Sequence, residues 1–94
     1  MGLITNDNVN VFDLSVISRG DCIRLRRAGD TTFRNGFVTR ARTDIVEILY
    51  SNTQNNATSF LRITADDVAI GVWEIFWTSD FITINYENNA PATP

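Results

Sequence analysis

Arginine carries most of the chemistry this chain can offer. Residues 19–42, RGDCIRLRRAGDTTFRNGFVTRAR, hold seven of its eight arginines. There is no histidine and no lysine, and Cys22 is the one cysteine. A His general base, a Lys Schiff base and a Cys–His dyad therefore cannot be assembled from these side chains. Zinc sites made from His and Cys are excluded on the same ground. The expectation is a protein that is not an enzyme, with no catalytic residue, no metal and no cofactor. Arginine offers instead a planar fork of donors that suits carboxylate or phosphate.

The other candidates have simpler readings. Asp66 and Asp67 lack the further oxygen ligands and the central glycine of a calcium loop. They fit better as acids at the positive end of a helical turn. Arg19-Gly20-Asp21 spells an adhesion tripeptide, but Gly20 reads as the turn that opens a strand. Cys22 reads as a small buried hydrophobe. Asn56-Ala57-Thr58 matches a glycosylation triplet, which matters only in a secreted protein.

The charge is unevenly spread. The net charge is −3, yet residues 19–42 carry seven arginines against two aspartates, a local +5. The flanking segments hold one arginine and nine acids, a local −8. A chain polarised this way can neutralise its own face, or dock its arginines on the acidic part of a neighbouring copy. It can also bind nucleic acid. An isoelectric point near 4.6 argues against that last use, since nucleic-acid domains are usually above about 9.

Short β-prone runs, separated by turn formers, must position these arginines. The pattern predicts strands over 21–28, 36–43, 44–50, 60–64, 72–77 and 81–87. A loop falls at 29–32 and a polar, Asn-rich loop at 51–59. Thr64 as an N-cap, two acids after it and Gly71 as a C-cap predict one helical turn over 65–70. Residues 1–18 read as an N-terminal extension, with a weak edge strand in 9–17, and 88–94 as a disordered tail. The start, MGLITNDNVN, has neither the basic nor the apolar region of a signal peptide. No apolar run approaches the ~18 residues of a membrane helix. With a single cysteine this reads as a cytoplasmic protein with no membrane partner.

With the first hairpin centred near residue 32, Arg24 falls opposite Arg40 or Arg42. Like charges there cost about 0.2–1 kcal/mol, and acids should offset them. A turn near Thr43 sets Arg40 opposite Glu47, and Glu74 and Asp21 can extend this into a lattice. Trp73, Ile75 and Trp77 share one strand face and read as core. Phe76 and Val72 lie on the other face and read as an exposed apolar patch. Val9, Val11, Phe12 and Leu14 could cover that patch, in the same chain or a neighbour's.

An all-β domain of five or six short strands over 19–87, with a helical turn before the last strands, resembles the Src-homology-3-type (SH3-like) antiparallel barrel. The spacing RGD-x-I-x-L … NG-x-V … D-I-V-E-I … I-T-A-D-D-V … W-E-I … SDFITI is also similar to small uncharacterised proteins of bacteria and their phages and prophages. That resemblance implies a binding or assembly role, virion-associated if phage-derived, and transfers no active residue. The first hairpin is basic where peptide-binding SH3 domains are acidic, so proline-rich recognition is not carried over. The expected function is a non-catalytic structural or adaptor module. It would bind protein, or itself, through Arg24, Arg26, Arg40, Arg42 and Phe76. The alternative is a nucleic-acid-binding barrel using the same basic face.

Overall fold

The computed structural model describes residues 2–6, 9–52 and 57–89. Eight strands and one helical turn follow in order. They are β1 (Ile4–Asn6), β2 (Asn10–Phe12), β3 (Cys22–Arg27), β4 (Arg34–Ala41), β5 (Ile45–Asn52), β6 (Ala57–Thr64), α1 (Ala65–Ala69), β7 (Trp73–Thr78) and β8 (Asn85–Asn88). β1 and β2 form a hairpin of their own, and the others form one six-stranded antiparallel sheet in the order β6-β5-β4-β3-β7-β8.

Alternation builds this sheet. Ile23 and Leu25 on β3, Val38 on β4, Val46 and Ile48 on β5, Ile63 on β6 and Trp73, Ile75 and Trp77 on β7 all point to one side and are buried. Leu3, Phe12 and Ile17 from the N-terminal segment, with Ala65 and Val68 from α1, complete the same core. The hairpin is therefore integral to the core. Only Asn10–Phe12 of the segment 9–17 is strand, and it pairs with β1, not with an edge of the main sheet. Phe12 Nα donates to Thr43 O at 2.8 Å and Trp77 Nε1 to Val16 O at 2.7 Å, which pins the segment to the inner face.

The sheet does not close into a barrel, contrary to the expectation from the strand pattern. β6 and β8 end the strand order and leave two edges. The inner face is covered by the N-terminal hairpin and α1, so the sheet need not curl on itself to bury it. Among the pairings within the sheet only β4–β5 shifts register, between Val38 and Arg40. The β5–β6 ladder runs without interruption from Ile45↔Thr64 to Asn52↔Ala57.

The helical turn forms as its caps predict. The Thr64 hydroxyl accepts from Asp67 N at 3.2 Å, Asp66 and Asp67 occupy the first turn, and Gly71 takes a φ of 88° after it. Strand limits differ from the sequence reading in three places. β4 starts at Arg34, and strand takes in Ser51, Asn52 and Ala57–Ser59 of the expected Asn-rich loop, whose residues 53–56 lie outside the described residues. The last strand is only Asn85–Asn88, because Asp80 locks the preceding residues into a loop. Asn88 and Asn89 are ordered, with Asn89 Nδ2 donating to Val68 O at 3.1 Å. Residues 90–94 of the expected tail lie outside the described residues.

Candidate functional site: the outer face of the sheet

The face opposite the core carries the residues that could meet a partner. Cross-strand pairing writes it as rows. Phe60 on β6 pairs Leu49 on β5, Leu49 pairs Phe37 on β4, and Phe37 pairs Cys22 on β3. This is a continuous apolar line across four strands, with Phe60 63% and Phe37 53% exposed. Cys22 is thus half-exposed at the end of that line, not the buried hydrophobe its type suggested.

On one flank Arg24 pairs Phe76 on β7, and Phe76 pairs Tyr86 on β8. The next row is Arg26, Glu74 and Asn88. Phe33, from the β3–β4 connection, lies over this corner. Its ring centroid is 4.1 Å from the Arg24 guanidinium carbon, 4.6 Å from that of Arg26, and 6.0 Å from the Phe76 ring. Phe76 and Tyr86 stack at 4.6 Å. Glu74 ties the corner down. Its carboxylate accepts from Arg26 Nε at 2.9 Å and from Tyr86 Oη at 2.9 Å. One ring, Phe33, thus carries two guanidinium groups.

On the other flank lie Arg40, Glu47 and Arg62, opposite one another across β4, β5 and β6. The register Arg40↔Glu47 is the one expected from the turn near Thr43. The ion pair, however, is made by Arg62, whose Nη2 is 3.1 Å from Glu47 Oε2. Thr39 Oγ1 also donates to Glu47, at 3.0 Å. Arg40 makes no ion pair among the described residues, and Arg42 sits in the turn beyond, where its N–H bonds Ile45 O.

The structure therefore splits the site predicted from sequence. It brings Arg24, Arg26 and Phe76 together and leaves Arg40 and Arg42 at the far end of the face, with the apolar line between. Arg24 does not oppose Arg40 or Arg42; it stands opposite Asn35. The hairpin turns at Gly29, whose φ of 92° favours glycine, and not near residue 32. Asp21 leaves the lattice as well. It is buried and accepts from Ser18 N at 3.0 Å, closing the turn into β3. Phe76 is half-buried between Phe33 and Tyr86, Val72 packs on the core, and the N-terminal segment covers the inner face, not Phe76.

The β7–β8 loop adds a second apolar element. Phe81, Ile82 and Ile84 are 71%, 86% and 67% exposed. Phe81 has a φ of 61°, a conformation that costs a bulky residue on the order of 1–3 kcal/mol. Asp80 enforces it, accepting from Ile82 N and Thr83 N, both at 2.8 Å. Those amides, Thr83 first, hold the Asp80 carboxyl below the usual carboxylate range. Ile84 then walls one side of an open groove of about 370 Å³, whose other walls include Cys22, Arg24, Asn35, Phe76 and Thr78.

Sequence reasoning missed Phe33, Phe37, Leu49, Phe60, Ile84 and Tyr86. A signal existed for three of them. Phe37, Leu49 and Phe60 are apolar at the wrong phase, beside neighbours that already fill the core side. Only the register shows that they align.

The sheet is open and antiparallel, with one face packed on the core and the other dressed in arginine and aromatic side chains. The chain belongs to a family of domains of unknown function (DUF5026), whose model matches residues 3–84. Comparison with curated proteins and with solved structures found no match. Among the described residues, no helix is long and apolar enough to cross a membrane.

Proposed function

We propose that this chain is a non-catalytic structural or adaptor module that binds protein through the outer face of its sheet. The observation that carries the reading is the line Phe60–Leu49–Phe37–Cys22, flanked by Arg24 and Arg26 on one side and Arg40 and Arg62 on the other. Contiguous exposed apolar surface between polar rims marks interaction sites. Aromatic residues and arginine are the types enriched there. The match is a polypeptide with apolar side chains for the line and acids for the flanks, in a partner or in another copy of this chain. Relatedness to SH3-type sheets is part of the proposal. It rests on the return of β7 to the side of β3 after one helical turn. A cytoplasmic setting is proposed from the single cysteine, and a phage or prophage origin from the sequence resemblance over 19–87, which the neighbouring genes test.

Selection from a displayed random-peptide library tests the binding mode. The expected winners combine Asp or Glu with apolar residues, and Arg24→Ala/Phe37→Ser loses them. Retention by that variant contradicts the reading.

One observation favours a second reading. Arg24, Phe33, Phe76 and Tyr86 interleave cation and ring, the combination on which single-stranded nucleic acid stacks. Binding of oligo-dT with a steep salt slope would favour it.

A further inference from the structure

The two edges of the main sheet are not alike. β8 has four residues and carries an inward-pointing charge, Glu87, whose carboxylate accepts from Leu3 N at 2.8 Å and Asn89 Nδ2 at 2.6 Å. Short length and an inward charge are ways proteins block edge pairing. β6 has eight residues, ATSFLRIT, with no proline, no glycine and no bulge. Its one charge, Arg62, is already held on its own sheet by Glu47.

The phase of the β5–β6 ladder shows what that edge offers. Ala65 N donates to Asp44 O at 3.0 Å, so the hydrogen-bonded pairs are Val46↔Ile63, Ile48↔Leu61 and Tyr50↔Ser59. The N–H and C=O groups of Thr58, Phe60 and Arg62 therefore point out of the sheet.

We propose that β6 pairs antiparallel with β6 of a second copy about a two-fold axis at Leu61, joining two sheets into one of twelve strands. It deepens the proposed self-assembly role but uses the edge, not the face. The axis keeps faces matched only if partner positions share parity. A register centred on Arg62 would set Arg62 against its own copy, which like charge disfavours. One centred on Leu61 sets Phe60 against Arg62 of the second copy, twice, so each guanidinium meets a ring that is 63% exposed in the single chain. Leu61 then meets Leu61, and Ser59 meets Ile63, on the inner side. Two full backbone-bonded pairs form, Phe60 with Arg62 and its symmetry mate; beyond them Thr64, whose carbonyl opens α1 as its N-cap, has only its N–H left for Thr58.

A charge pair of substitutions tests this. Phe60→Lys places a cation opposite Arg62 of the second copy, whereas Phe60→Glu places an anion there. Both change an exposed side chain, and circular dichroism confirms that each variant folds. Light scattering on the full chain at about millimolar concentration should give two chains for wild type and for Phe60→Glu, and one for Phe60→Lys. The amides of Phe60 and Arg62 should gain hydrogen-exchange protection at high concentration in the first two only. A wild-type mass of one chain overturns the proposal. So does any other pattern in the two variants, two dimers or two monomers included. If Phe60→Lys stays dimeric and Phe37→Ser does not, the edge is wrong while the outer-face reading stands.

Discussion

Replacing Gly36 by alanine probes how closely β4 and β5 approach. A methyl group there would lie 2.1 Å from the Leu49 carbonyl oxygen, 2.9 Å from its carbon and 3.0 Å from Tyr50 Cα. All three are backbone atoms of β5, so none can rotate away. Gly36 is also central, opposite Ile23 on one side and Tyr50 on the other. Two effects compete. Alanine restricts the unfolded chain, which favours the fold by about 0.4–1 kcal/mol. Overpacking costs about 1–3 kcal/mol, and a rigid neighbour puts this site at the upper end. The net expectation is a loss of about 2–2.6 kcal/mol, or roughly 8–21 °C in Tm for a domain of this size. Thermal and urea unfolding followed by circular dichroism measures it. A Tm equal to or above wild type would refute the close approach that sets Phe37 beside Leu49.

Other substitutions test the remaining devices. Arg24→Ala should cost well under about 1 kcal/mol, because Arg24 pairs with no acid among the described residues; Arg26→Ala should cost more, since it removes the ion pair to Glu74 as well as a cation on Phe33. The reverse order in urea melts would contradict the ring-and-acid corner. Trp77→Phe loses the bond to Val16 O and should destabilise more than Trp73→Phe, whose buried indole N–H finds no partner among the described residues. Phe81→Gly relieves a φ of 61° at an exposed site and should leave the Tm unchanged or raise it. Asp80 has its pKa lowered by the Thr83 and Ile82 amides, so its contribution is present above the unfolded value of about 3.9 and disappears as pH falls through the lower folded value. In an NMR titration the Ile82 and Thr83 amide signals should move together with a midpoint below about 3.9; a midpoint at or above it counts against the loop.

Much of the fold was legible because period and caps speak locally. Ile23 and Leu25 against Arg24 and Arg26 set both faces of β3, and Thr64 with Gly71 bracketed the helical turn. The site was less legible because it is made by register. Whether Arg24 meets Arg40 or Asn35 depends on where one hairpin turns, and Gly29, not Thr32, takes the tip. Closure was also out of reach. Nothing local says that Leu3, Phe12 and Ile17 will cover the inner face and leave the sheet open. Asp80 shortened the last strand through bonds to Ile82 and Thr83 that strand propensity in FITINYE outweighs on paper.

Amide chemical-shift mapping with a library-selected acidic–apolar peptide tests the binding face most directly. Titration should move the signals of Cys22, Phe37, Leu49 and Phe60, with Arg24 and Phe76 beside them. Shifts gathered instead on α1 and the β1–β2 hairpin, with the outer face silent, would contradict it.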